Sequence, residues 1–450
     1  MSQLLPFSDP QQVEAHPPTM MVSGRGCTVR DAEGNEYFDG VAGLWCASLG
    51  FSNQRLIAAA TAQMQTLPYY HSFMGRTAEP AGRLAAKLVE MLPADLARIF
   101  FACSGSEAVD TAVKLSRFYQ NARGKPEKKK IIAREGAYHG SGLASAGLTG
   151  MSYCHDGFDL PDANVLRTGR PHFYADAEGG ESETAFSRRR ARELDELIRN
   201  AGADSVGAFI GEPVMGSGGV IPPPDGYWEE IQTVLHRHDV LMIADEIITG
   251  FGRTGEWFAC QKYGIEPDML TMAKQLSGAY FPISALAISK TMYETISSRA
   301  HELGVLGHGF TYGSHPVGAA VALEAIKIYE EMDVPNRVKV LSAKLESALA
   351  PVASHPSVGN VRVIGLMAGI ELIGHPDEPG RVGLAVGAEA ESRGVLFRVI
   401  GDTLAISPPL IIEEAEIEYI TDVLYDCIDA VAGRKAVSAD VLASSLVDNI

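Results

Sequence analysis

Five short apolar runs in the middle of the 450-residue chain end in residues with the means to do chemistry. "IFFA" (99–102) leads into "CSGSEA", "KIIA" (130–133) into "REGAYHG", "GAFI" (207–210) into "GEPVMGSGG", "VLMIA" (240–244) into "DEIITGFGRTG", and "MLTM" (269–272) into "AKQLSGAY". Ser104, Gly105 and Ser106 stand before a segment of helical period. Unpaired N–H groups, the helix dipole and two hydroxyls would make that start an anion site, although serine there also serves as an ordinary N-cap. Asp245 closes an apolar run, where a carboxylate is costly unless a cation or donors meet it. A structural ion pair or a ribose-binding acid would meet the same demand, but no G-x-G-x-x-G lies about 20 residues upstream, as a dinucleotide site needs. Lys274 follows 29 residues after Asp245. A desolvated lysine is a nucleophilic amine that condenses with aldehydes, whereas a lone one more often snorkels out of a strand end.

The elements that must position these groups follow from the same pattern. With a sixth run, "SALAI" (284–288), β-rich stretches alternate with longer segments of helical period. Ala108, Ala112, Leu115 and Tyr119, for example, recur at the spacing of one helix face. This alternation predicts an α/β fold with a largely parallel sheet covered on both faces, and such sheets bind ligands beyond the carboxyl ends of their strands. The separation of Asp245 and Lys274 is about that of one βαβ unit, so two parallel strands would present both at one sheet edge. If its strand continues, Ile247 shares a face with Asp245. An anion cradle, a buried acid, an amine and an aromatic, Tyr138, then stand at four strand ends. They answer, in that order, the phosphate, protonatable ring nitrogen, aldehyde and flat ring of pyridoxal 5'-phosphate.

Composition narrows the classes further. With 46% hydrophobic residues and a mean hydropathy of +0.02, the chain can bury a sizeable core as one large subunit of two or more lobes. Its 56 acidic and 38 basic residues leave a net charge of -18, which argues against binding nucleic acid. No apolar run approaches the roughly 20 residues that cross a bilayer, and the start lacks a basic segment followed by an apolar one. A cytoplasmic protein without a membrane partner is expected. Six cysteines are scattered without C-x-x-C pairs or zinc spacing, so no disulfide framework or metal is expected. The polar stretch 176–192 reads as a surface loop leading into a helix, His236 and His238 as a solvated helix end, and the tail after Gly433 as peripheral.

Taken in order, "SGSEA" (104–108), "YHG" (138–140), "GEPV" (211–214), "ADEIITGFGRTGEWFA" (244–259), "PDMLTMAKQLSGAYFP" (267–282) and "GFTYGSHPVGAAVALEAI" (309–326) resemble the class III aminotransferases. Among these fold-type I pyridoxal-phosphate enzymes, the pattern is similar to omega-transaminases that use amines or omega-amino acids with pyruvate. The resemblance extends from "YFDGVAGLWC" (37–46) to "GDTLAISPPLIIEEAEI" (401–417). It implies a large cofactor-binding domain, 61–325, and a smaller α+β domain built from 1–60 and 326–450. It implies that Lys274 forms the Schiff base, that Asp245 pairs with the pyridinium nitrogen, and that Gly105 and Ser106, beside Ser104, hold the phosphate. Tyr138 and Ile247 would cover the two ring faces, with His139 a further cofactor contact and Glu212 near the phenolic oxygen. Thr311 would reach the phosphate of the neighbouring subunit, implying at least a homodimer, with a tetramer also open. Phe7, Trp45 and Tyr153 would line the substrate pocket, and Arg398 would receive a substrate carboxylate.

The chain departs from the family pattern at Gln275, where glycine is usual, at Val109, where Asn is common, and in the inverted order Gly313–Ser314. Ser217 replaces a glutamate of relatives that use 2-oxoglutarate, which weakens a reading as a gamma-aminobutyrate or ornithine transaminase. The amino donor stays open. So do racemisation, aminomutation or decarboxylation on the same cofactor and, outside the class, a nucleotide-binding oxidoreductase or binding protein.

Overall fold

All six apolar runs become strands of one seven-stranded sheet in the structure, a computed structural model that describes residues 2–433. The strands are β1 (Leu96–Ala102), β2 (Lys130–Arg134), β3 (Val165–Thr168), β4 (Val206–Gly211), β5 (Leu241–Asp245), β6 (Met269–Met272) and β7 (Ser284–Ser289), in the order β1-β7-β6-β5-β4-β2-β3. Pairing is parallel from β6 through β3, and β7 runs antiparallel to both its neighbours. The link explains the reversal. A parallel return needs a crossover of a dozen or more residues, usually a helix, whereas residues 273–283 hold only a 3-10 turn at Lys274–Leu276. Strand β3 escapes the sequence pattern because it is short and carries Arg167, whose guanidinium donates to the carbonyls of Gly147, Leu148 and Thr149.

The helices that matter for the site are α1 (Gln54–Thr66), α2 (Glu79–Met91), α3 (Gly105–Ala122), α4 (Tyr227–Arg237) and α5 (Pro316–Glu331). Helix α3 packs on β6 and β7, and its predicted face, Ala108, Ala112, Leu115 and Tyr119, is buried. Val109 joins Ile131, Ile210, Ile243 and Leu286 in the core beneath that helix. The unusual valine is therefore a packing residue, and a polar Asn there would need a partner the core does not offer.

The chain divides into two units, one running from Gln54 to Pro335, the other from the residues up to Asn53 and those from Asn336 onward. The boundaries expected at 60/61 and 325/326 would cut α1 and α5; the observed ones leave both helices whole. The smaller unit mixes helices with two sheets. Strands Met21–Arg25, Thr28–Asp31 and Glu36–Asp39 are antiparallel, and Val395–Leu396 adds in parallel, so chain-start and chain-end segments share one ladder. Strands Val358–Ile364, Met367–Leu372, Thr403–Ile406 and Arg398–Ile400 form an antiparallel sheet.

In the larger unit, helix Glu183–Ala201 begins inside the stretch 176–192 expected as a surface loop, because Ser182 caps it and Phe186 and Ala191 turn one face inward. His238 departs from expectation. It is largely buried against Asp195, 2.7 Å from its carboxylate, because Asp195 faces the end of α4 rather than water. The tail after Gly433 lies outside the described residues.

Candidate active site

Asp245 is the last residue of β5, 3% exposed, and stands in register with Thr271 of β6. Its Oδ1 accepts from Thr271 Oγ1 and from Ile247 N, each at 3.2 Å, while Oδ2 lies 2.7 Å from His139 Nδ1. Donors on both oxygens offset the desolvation of the carboxylate. They also correct one expectation. The strand does not continue to Ile247, because the Asp245 side chain captures Ile247 N and turns the chain. The Ile247 side chain nonetheless meets the helix start opposite: a Cβ at Gly105 would lie 2.8 Å from Ile247 Cδ1.

At that start Ser104 is the N-cap of α3, its Oγ accepting from Glu107 N at 3.2 Å. Ser106 Oγ accepts from Ser141 N at 3.0 Å. Both hydroxyls keep a proton to donate. The N–H groups of Gly105 and Ser106 open the helix, where no preceding carbonyl is placed to accept them. Cap and anion cradle are therefore compatible here.

Lys274 begins the turn after β6, three residues past Thr271. Its φ of 46° is left-handed, a conformation that costs a non-glycine residue of order 1–3 kcal/mol and persists only where the surroundings impose it. Leu276 N donates to Ala273 O at 2.9 Å and Gly278 N to Gln275 O at 3.1 Å, closing the turn.

Glu212 follows β4 and is 5% exposed; burial pushes its carboxyl above the usual glutamate range. Its Oε1 accepts from Tyr138 N at 3.3 Å and its Oε2 from Gly216 N at 2.9 Å. Tyr138 Oη lies 3.1 Å from Ser141 Oγ, which ties the Tyr138 loop back toward Ser106. Arg134, fully buried, donates Nη2 to the Glu212 carbonyl at 2.6 Å and stands over the Trp228 ring at 5.2 Å. The sequence marks Thr271 only as a lone polar residue within an apolar run and Arg134 only as the first residue after one.

The larger unit thus joins Ser104, Gly105, Ser106, Tyr138, His139, Glu212, Asp245, Ile247 and Lys274 along one sheet edge. Thr311 is exposed in the loop before α5, its carbonyl accepting from Tyr69 Oη at 2.8 Å. The inverted Gly313–Ser314 order has a cause. A Cβ at residue 313 would lie 2.8 Å from the Phe101 carbonyl, so glycine stands there and Ser314 takes the left-handed φ of 62°. Tyr153 is exposed in a 3-10 turn of this unit. Phe7, Trp45 and Arg398 belong to the smaller unit. There Phe7 is exposed, whereas Trp45 is 2% exposed and its neighbour Leu44 59% exposed. Arg398 opens a strand and lines a cavity of about 440 Å³ with Asp39, Leu44, Glu391 and Phe397.

Residues 10–428 match the sequence profile of the Aminotransferase class-III family. The chain is a class III aminotransferase. It is 44% identical to gamma-aminobutyrate transaminase 1, mitochondrial, of Oryza sativa subsp. japonica over 96% of this chain and 85% of that one. Gamma aminobutyrate transaminase 1, mitochondrial, of Solanum lycopersicum is 46% identical over 92% and 82%. Among solved structures, the omega transaminase from Pseudomonas jessenii in complex with PMP superposes with a TM-score of 0.94, at 44% identity and 96% coverage of both chains. The cofactor of this aminotransferase is pyridoxal 5'-phosphate, and the residues present fit it. A helix N-terminus with two serines suits the phosphate. A carboxylate held by three donors suits a protonated ring nitrogen, and a glycine whose Cβ would collide with Ile247 keeps the cradle shallow.

Gly105→Ala in this aminotransferase is expected to weaken cofactor affinity about tenfold or more, since the added methyl must displace Ile247. Ile247→Val in the same chain, which removes only the Cδ1 methyl in the way, should recover part of the loss. Titration of apoenzyme with pyridoxal phosphate, followed by absorbance, measures both.

Proposed function

We propose that this class III aminotransferase moves an amino group from a primary amine or omega-amino acid to a keto acid, pyruvate foremost, in a ping-pong cycle. The donor class is supported by the omega transaminase and gamma-aminobutyrate transaminase relatives and by Arg398, the guanidinium that the family resemblance assigns to a substrate carboxylate. A guanidinium in that role suits a short chain with a carboxylate at its far end, and equally an apolar amine that leaves it to solvent. Against the expectation drawn from Ser217, the names of the plant relatives put gamma-aminobutyrate first among the donors to test. Ser217 supports pyruvate as acceptor, because no glutamate stands there to mask the arginine in the amine half-reaction.

Bound pyridoxal phosphate supplies the electron sink for the substrate carbon. The chain's own residues then have separable tasks. Asp245, held by Thr271, Ile247 and His139, keeps a negative charge facing the ring nitrogen. Lys274 Nζ takes a proton from the substrate carbon and returns it one position away, acting as base and then acid. The Gly105 and Ser106 N–H groups would hold the phosphate, and Tyr138 and Ile247 would face the two sides of the ring.

The same reading includes a dimer in which Thr311 completes the neighbouring phosphate site. It is supported by an apolar patch around Thr311: Tyr69, Tyr70, Phe73, Met74 and Tyr312 are exposed together, and Tyr69 meets Tyr312 edge-on at 5.8 Å. Contiguous exposed apolar surface of this kind marks a protein interface.

Lys274→Ala should abolish the visible absorbance band of the bound cofactor, and its retention would remove the lysine from its role. Arg398→Ala should raise KM for pyruvate and gamma-aminobutyrate about tenfold or more, the cost of a lost charge-assisted pair, while carboxylate-free amines change little. A wild-type preference for 2-oxoglutarate over pyruvate in an acceptor panel would refute the acceptor assignment. Tyr312→Arg should shift a sedimenting dimer toward monomer and loosen the cofactor; a wild-type monomer with full activity would end the shared-site reading.

A further inference from the structure

Gln275 replaces the glycine usual after the lysine, and the structure gives its side chain a use. The residue is fully buried. Its Nε2 donates to Ile248 O at 2.6 Å, in the turn that Asp245 initiates, and its backbone carbonyl accepts from the hydroxyl of fully buried Tyr329 at 2.7 Å. Ile248 in turn packs against the Gly216 loop, where a Cβ at Gly216 would lie 2.5 Å from Ile248 Cδ1. Gly216 N is the donor to Glu212 Oε2. One amide thus links the lysine turn, the Asp245–Ile247 turn and the Glu212 loop.

Two observations separate this from ordinary packing. The Gln275 Oε1 atom is buried without a hydrogen-bond partner, a liability that an apolar side chain of similar size would avoid. Lys274 also holds its left-handed backbone immediately before Gln275, where a glycine would leave the turn free to relax.

We propose that Gln275 is a positioning residue that sets Lys274 Nζ relative to Asp245 and Ile247, with Tyr329 as its second anchor on α5. The inference rests on Lys274 being the amine of the proposed reaction. It concerns where that amine is held, not which substrate is used. Without the Gln275 bond the turn loosens, water reaches the lysine nitrogen, and proton transfer loses its geometry.

The test compares wild-type holoenzyme with Gln275→Leu, Gln275→Asn and Tyr329→Phe. The visible band of the bound cofactor is titrated with pH in the absence of substrate. One half-reaction is then followed by stopped flow against amine concentration, and the thermal midpoint is recorded. Gln275→Leu is expected to raise the midpoint of the band titration by about half a pH unit, because admitted water favours the cationic form. It should also lower the saturating half-reaction rate about tenfold, with the half-saturating amine concentration little changed. Tyr329→Phe, which frees the backbone carbonyl of residue 275, should move both readings the same way by a smaller amount, and Gln275→Asn, which draws the amide back from Ile248 O, decides the matter if the leucine variant does not fold. Unchanged titration midpoints and rates, however far the thermal midpoint falls, would overturn the proposal and leave Gln275 a structural brace. A wrong substrate class shows instead as a wild-type enzyme that does not react with the amine, and the band titration still decides Gln275.

Discussion

A carboxylate buried at the end of an apolar strand is the constraint around which the larger unit is arranged. Asp245 reaches its position because β5 is covered on both faces, and that burial makes every donor around it obligatory. Thr271 supplies one from the neighbouring strand, Ile247 N another by ending the strand, and His139 faces the second oxygen from the loop after β2. Parallel pairing of β5 with β6 is what brings Thr271 alongside, and it also delivers Lys274 three residues further on. A cofactor with a cationic ring nitrogen complements this arrangement, since it adds positive charge where negative charge has already been desolvated.

The second determinant is the reversal of the chain after Lys274. Because β7 returns directly beside β6, the lysine sits in a tight link instead of a crossover, and its left-handed backbone is enforced on several sides. Gln275 and Tyr329 bond this link to the turn after β5 and to α5, while Ser277 Oγ closes it onto the Phe281 carbonyl at 2.6 Å. The site is thus a set of loops fastened to one another as well as to the sheet.

The legible features in the sequence were those with a period or a fixed spacing. The apolar runs and the α3 face are repetitive, so the six strands and the buried stripe from Ala108 to Tyr119 could be read. The Asp245–Lys274 spacing measures one βαβ unit and carried the site with it. Features set by a single contact were not legible. The direction of β7 depends on the length of one link, β3 on Arg167 finding three carbonyls, and the end of β5 on Asp245 capturing Ile247 N. Trp45 reads as a pocket aromatic by its motif, yet within its own unit the chain buries it and exposes Leu44, through a turn in which Ala42, Gly43 and Trp45 all take positive φ.

The link 273–283 is a closed loop whose feet are fixed by pairing of Met272 with Ala285. Closure entropy alone would allow a longer loop at a cost of only about 0.6 kcal/mol per doubling, but Gln275, Leu276 and Ser277 are buried and leave no room beside Lys274. Insertions there would also separate the amine from the strand end that aims it. The segment is therefore held to its length by packing and by the aim of the amine together, so that its first residues tolerate substitution less than its exposed tip.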